Sequence, residues 1–183
     1  MESVPTMRSA GFTMLEVVMV MAIVAILLAI GVPSFRYVTT ANRMAAEVNG
    51  LIGDMQYARA EAIKEGQNVL VCVSTNGTAC NNSNSWANGW IVCTSTVNLG
   101  ACDTTVVFRG QKSFATLGSS DTFVADANTS GVTFNREGFA VGLAGPVTVT
   151  LHNSTNVSSF TRCLQVSAVG IVQVETVGQG NCT

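Results

Sequence analysis

Gly11-Phe12-Thr13-Met14-Leu15-Glu16 opens an apolar run from Val17 to Val32 that meets Pro33. One carboxylate, Glu16, stands at the mouth of this otherwise uncharged segment, just after a Gly-Phe junction and a short polar leader, Met1–Gly11. An ionisable group in a membrane-length apolar segment costs roughly 2.5–3.5 kcal/mol on insertion scales, so its presence points to function. At about 1.5 Å per residue, Phe12 to Val32 is long enough to cross a hydrocarbon core of about 30 Å. An ordinary secretory signal would carry a basic leader and a small-residue cleavage site beyond its apolar stretch. Here the leader holds Arg8 but also Glu2, and Ala29-Ile30-Gly31 is the passable site for such cleavage. A plain single-span anchor explains the apolar run but neither Glu16 nor the Gly11-Phe12 junction.

Beyond Pro33 the helical pattern continues. Met44, Val48, Leu51, Ile52, Met55, Ala58, Ala62 and Ile63 recur at three- and four-residue intervals, with Arg43, Glu47, Asp54, Arg59, Glu61 and Lys64 mainly on the other faces. Gly66 is a natural stop. The spacing predicts one helix from Phe12 to Glu65, about 80 Å long, with a kink or local melt near Gly31-Val32-Pro33. Its first half is apolar all round and its second half amphipathic.

From Gln67 the period changes. Asn68–Ser74, Gly89–Thr94, Thr105–Arg109, Gly131–Asn135, Pro146–His152, Arg162–Ser167 and Gly170–Thr176 are short, Val/Thr-rich and bounded by Gly, Asn or Ser, as strands are. The near-strict alternation in Val147–Leu151 and Ile171–Val174 predicts half-buried antiparallel strands. Trp86 and Trp90 read as core residues. The expected fold class is therefore α+β: a long N-terminal helix, membrane-embedded in its first half, packed on an antiparallel β-sheet head. The expected division is 1–11 leader, 12–38 transmembrane half-helix, and 39–183 head, with the amphipathic helix running to about 65.

The 183 residues suffice for one domain plus an anchor. Net charge is −2, and removal of Met1–Gly11 leaves 10 acids and 8 bases, the same balance. Beyond Gly66 the bases are Arg109, Lys112, Arg136 and Arg162, against Asp103, Asp121, Asp126, Glu137 and Glu175. No basic patch is visible there, which argues against strong nonspecific nucleic-acid binding. All six cysteines follow the anchor, and an even count in an exported, loop-rich domain reads as a disulfide framework. Six cysteines allow fifteen pairings, and sequence does not choose among them. Proximity favours Cys72–Cys80, Cys93–Cys102 and Cys163–Cys182. With no CxxC pair and a single histidine, His152, the spacing does not point to a metal. His152 reads as a solvated position on a strand. No nucleophile–base pair, phosphate loop or paired carboxylates on one element is visible, so no enzyme and no cofactor is expected.

The run from Gly11 to Phe35 resembles the class III signal of type IV pilins and type II secretion pseudopilins. The resemblance implies cleavage after Gly11 by a membrane prepilin peptidase, methylation of the new amine on Phe12, and retention of the apolar segment as membrane anchor and later filament core. It implies that Glu16 neutralises the N-terminal amine of an adjacent subunit on assembly; an intramolecular Glu16–Phe12 contact at i,i+4 is the alternative.

Further along, the segments Asn42–Gly66, Leu70-Val71-Cys72, Trp86-Ala87-Asn88-Gly89-Trp90, Val132–Gly138 and Arg162–Ser167 resemble the FimT, FimU and GspH branch of minor pilins and pseudopilins. That implies other minor and major pilins and an inner-membrane assembly platform as partners. It implies an inner-membrane site with a periplasmic head, then a place in a filament. The leading expectation is a minor pilin of a type IV pilus, in a tip complex that primes assembly; a minor pseudopilin of type II secretion is the alternative. Members that bind DNA resemble one another in a G-R-x-R element of the last hairpin. Here that stretch reads Gly170-Ile171-Val172-Gln173, without either arginine, which places a pilus-associated DNA receptor, with DNA as partner, as the third reading behind the other two.

Overall fold

The computed structural model describes residues 11–95, 100–103 and 107–182. The leader before Gly11, and Thr105 and Val106 of one expected strand, lie outside the described residues. The chain forms two units that divide between Thr39 and Thr40. A helix, α1 (Met14–Glu65), supplies the first unit and opens the second. It begins at Met14 rather than Phe12 because Thr13 caps it: the Thr13 hydroxyl and carbonyl oxygens accept the Glu16 amide N–H at 3.2 and 3.1 Å. It ends where Gly66 turns left-handed (φ +68°) and its amide donates to the Ala62 carbonyl at 3.0 Å. The local melt expected near Gly31-Val32-Pro33 does not occur, since α1 runs through that stretch unbroken. A single proline withdraws one amide donor, and the residues on either side keep theirs even though Gly31, Val32 and Ser34 are weak helix formers.

In the first unit the apolar side chains are exposed, Leu15 at 78% and Ile30 at 69%. In the second, α1 buries one stripe: Met44, Val48, Leu51, Met55, Ala58 and Ala62. Among the described residues that stripe meets nine strands: β1 (Val69–Val73), β2 (Gly89–Thr94), β3 (Val107–Lys112), β4 (Thr122–Ala125), β5 (Gly131–Phe134), β6 (Ala140–Val141), β7 (Val147–His152), β8 (Arg162–Val166) and β9 (Val172–Thr176). The head is antiparallel throughout, but its strands form two sheets rather than one, in the orders β3-β2-β1-β5-β6 and β4-β7-β8-β9. β4 and β6 lie where no strand was expected, β3 runs on to Lys112, and β9 begins two residues after Gly170.

Val71 sits between Val92 and Val132 in the first sheet, and Leu164 between Val149 and Val174 in the second. Valines and aromatics from both sheets share one core with the α1 stripe, in which Trp86, Trp90, Phe114, Phe123 and Phe134 are the largest buried side chains. The opposite face of the first sheet carries a second, small cluster of Leu70, Cys72, Ile91 and Cys93. Disulfides join Cys72 to Cys80, Cys93 to Cys102, and Cys163 to Cys182.

Candidate functional site: the amino-terminal segment and its supporting head

Gly11 and Phe12 precede the first turn of α1 in exposed, non-helical chain, with the Phe12 side chain 82% accessible. A junction that is neither helical nor covered is one a peptidase can bind. Glu16 is the third helical residue, and its backbone amide completes the Thr13 cap, so its carboxylate stays available for another partner. The Thr13-x-x-Glu16 spacing is that of a capping box, a signal legible in the sequence that the motif reading passed over. From Val17 to Val32 the exposed faces are apolar, and α1 carries a segment long and apolar enough to span a bilayer. So large an apolar surface requires lipid or other apolar helices around it. Gly31 lies within this exposed stretch and Pro33, also exposed, directly follows it.

The head fixes its half of α1 through three polar clamps. The Trp90 indole N–H donates to Asp54 Oδ2 at 2.8 Å, and Arg109 donates to Asp54 Oδ1 at 3.2 Å while lying 4.4 Å over the Tyr57 ring. Arg43 grips the fully buried Asp121 carboxylate with Nε and Nη2, at 2.8 and 3.0 Å, and the Ser154 amide also donates to Asp121 at 3.0 Å. Beside this pair Glu47 has Oε2 buried without a hydrogen-bond partner, while Oε1 lies 4.0 Å from Arg43. Burial first, and the Asp121 charge second, push the Glu47 carboxyl up to about 7, offset in part by the Ser119 hydroxyl and Arg43. Apart from the i,i+4 approach of Arg43 and Glu47, these partnerships are not legible in the sequence, since Arg43 and Asp121 are 78 positions apart.

The motif segments prove to be structural devices. In Asn135-Arg136-Glu137-Gly138 the Asn135 Oδ1 accepts the amides of Glu137 and Phe139 at 3.1 and 2.9 Å, closing a turn that Gly138 completes at φ +81°. A Cβ on Gly170 would run into the Gly138 carbonyl, so these two turns touch backbone to backbone. Trp86 is buried and donates its indole N–H to the Thr129 carbonyl at 3.2 Å. His152 is half-buried rather than solvated, with Nδ1 3.1 Å from the Thr161 hydroxyl beside the neighbouring strand. In the last hairpin Ile171 is exposed, and Gln173 donates to Gln165 across the strands at 3.1 Å.

Residues 6–32 match the prokaryotic N-terminal methylation motif, and residues 47–170 match the family model described as type II transport protein GspH. No curated protein matches the chain. Among solved structures, the type IV minor pilin FimU of Pseudomonas aeruginosa is similar in two crystal forms, each 19% identical. One covers 77% of this chain and 92% of FimU with a TM-score of 0.56, the other 73% and 91% with 0.53. The minor pseudopilin EpsH of the Vibrio cholerae type 2 secretion system is 10% identical, over 74% of this chain and 98% of EpsH, with a TM-score of 0.50. At these identities the likeness speaks for the fold. With well over half of its length matched to that model, behind a methylation motif and an exposed apolar half-helix, the chain belongs to the GspH family of minor pilins and pseudopilins.

Proposed function

We propose that this protein is a minor pilin of a type IV pilus, cleaved by prepilin peptidase after Gly11 and methylated on the amine of Phe12. The observation that carries this reading is the Gly11-Phe12 junction ahead of a capped, fully exposed apolar half-helix whose one carboxylate is Glu16. The anchor first holds the subunit in the inner membrane with its head in the periplasm. During assembly the apolar half-helix moves from lipid into the filament core, among those of other minor and major pilins. There Glu16 meets the Phe12 ammonium of a neighbouring subunit. A buried carboxylate stripped of water costs several kcal/mol unless a cation meets it, so this pairing favours correctly staggered subunits over misaligned ones. The role is one of structure and priming, at a pilus tip, rather than of catalysis.

Membership of a type II secretion pseudopilus is the second reading, favoured by the family description of residues 47–170. Deleting the gene separates the two. A pilus subunit predicts fewer sheared surface pili and undiminished release of folded exoproteins; the reverse result establishes the pseudopilin.

A further inference from the structure

Arg59 stands on α1 where two glycine turns close over it. A Cβ on Gly138 would come within 3.0 Å of its Nε, and one on Gly170 within 3.3 Å. That Nε is buried without a hydrogen-bond partner, and among the described residues no carboxylate pairs with the guanidinium. The Arg59 side chain lines a groove of about 490 Å³, between Gln56, Ala60 and Ile63 of α1 and Gly170 to Val172 of the last hairpin. Among the described residues no acid lines that groove. Its rim is apolar and open to solvent: Ile63 and Ile171 in the walls are exposed, as are Phe139 and Val169, which adjoin the two glycines in sequence.

An unmated cation inside an apolar rim sets what can fill the groove. Exposed apolar side chains gathered in one place mark a contact surface. A guanidinium without an acceptor favours a carboxylate, whose geometry it matches with two parallel hydrogen bonds. Nucleic acid fits poorly, because phosphates are held by several cations and this groove offers one. A second copy of the chain fits poorly too, because the exposed carboxylates described in this head are engaged at home: Glu65 by Lys64, Glu137 by Arg136 and Asp126 by the Thr148 amide. We infer that the groove between α1 and the last hairpin is the docking surface for a different subunit of the filament, which sets a carboxylate on Arg59 and apolar side chains on Ile63 and Ile171. The inference rests on the chain being a filament subunit, in a pilus or a pseudopilus alike. A charge pair inside an apolar rim fixes register and penalises neighbours that lack the carboxylate, so the contact selects one subunit among several.

The test is photocrosslinking of the full chain in intact cells, with benzoylphenylalanine in place of Ile171, and separately in place of Val20 in the apolar half-helix as the report of filament entry. Ile171 should give one adduct, to a different subunit, and peptide mapping should find an Asp or Glu among apolar residues where the two chains join. Arg59→Glu should lower that adduct roughly tenfold or more, since like charges then face each other, and leave the Val20 adducts as they were. Exchanging the mapped carboxylate for Arg should restore the adduct of the Arg59→Glu chain, a rescue that a merely misfolded head would not show. An undiminished Ile171 adduct in Arg59→Glu overturns the proposal, as do failure of the charge exchange, an adduct to a second copy, and a mapped segment without a carboxylate. Val20 adducts without an Ile171 adduct overturn it while leaving the filament reading intact; the absence of both overturns the filament reading and this contact with it.

Discussion

At Glu16 the backbone and the side chain have separate tasks, and that separation makes the residue testable. Its amide N–H closes the Thr13 cap, which any replacement but proline preserves, while its carboxylate is what the proposed assembly step uses. Glu16→Val should therefore leave membrane insertion and leader cleavage intact and sharply reduce the subunit recovered in sheared filaments. Immunoblots of sheared and membrane fractions measure both; wild-type incorporation would remove Glu16 from the mechanism. Glu47 offers a test in the head. Its carboxyl titrates near 7 in the folded chain against an ordinary value of 4.5, so the native state holds the proton more tightly than the unfolded one. Stability from this group is fully present below pH 4.5 and is lost as pH rises from there to about 7. The raised pKa corresponds to about 3–4 kcal/mol at the usual 1.36 kcal/mol per unit, an upper bound that solvent screening of a partly exposed carboxyl lowers. Denaturant unfolding should find the wild-type head weaker at pH 8 than at pH 5 by about 1–3 kcal/mol. Glu47→Gln should remove most of that difference. An unchanged pH profile in the variant would show that Glu47 is not the source of the difference and that Arg43 and Ser119 hold its carboxylate charged despite the nearby Asp121.

Among the elements, α1 carries the clearest energetic contrast. Leu51 is fully buried on the stripe facing both sheets, whereas Ile63, one of the residues whose spacing suggests the stripe, is 52% exposed. Leu51→Ala should cost about 2–5 kcal/mol, the range for a large-to-small change in a filled core. Ile63→Ala should fall below about 1 kcal/mol, as surface substitutions do. Equal losses would mean that the stripe is rotated from the face described. Much of this element was legible beforehand because its period is local: Met44, Val48, Leu51 and Met55 announce a helix face without reference to anything distant. The Gly11-Phe12-Glu16 constellation was legible for the same reason, lying within six residues. What escaped depends on partners far away in sequence. β4 is only Thr122-Phe123-Val124-Ala125 between two aspartates, and it is a strand because β7 pairs with it; β6 is two residues held by β5. The division into two sheets follows from those pairings. At Pro33 the local melt that a proline suggests is absent because α1 continues through it, although its neighbours Gly31, Val32 and Ser34 are weak helix formers.

For the molecule as a whole, the question that charge decides is whether the head captures DNA. Binding duplex DNA at physiological salt needs several Lys or Arg side chains free to neutralise phosphates, and affinity falls steeply as salt rises. Beyond Gly66 this head has four bases against five acids. Three of those bases already have internal work: Arg109 bonds Asp54 and covers Tyr57, Arg136 pairs with Glu137 at 2.7 Å, and Arg162 donates to the Ser159 and Thr161 carbonyls. Breaking these contacts to reach phosphate would subtract from the gain. In the last hairpin Ile171 and Gln173 stand where a G-R-x-R element starting at Gly170 would carry its arginines. Full chain in detergent should therefore give no mobility shift with duplex DNA at about 0.15 M salt, where screening leaves only close contacts effective. Both positions are exposed, so Ile171→Arg, Gln173→Arg should fold and add two cations to one edge of the second sheet. That variant should bind DNA more tightly than wild type, with a steeper loss of affinity as salt is raised. Submicromolar binding by the unmodified chain, abolished at high salt, would instead make DNA uptake the leading function. A double variant no better than wild type would place any DNA path on another face of the head.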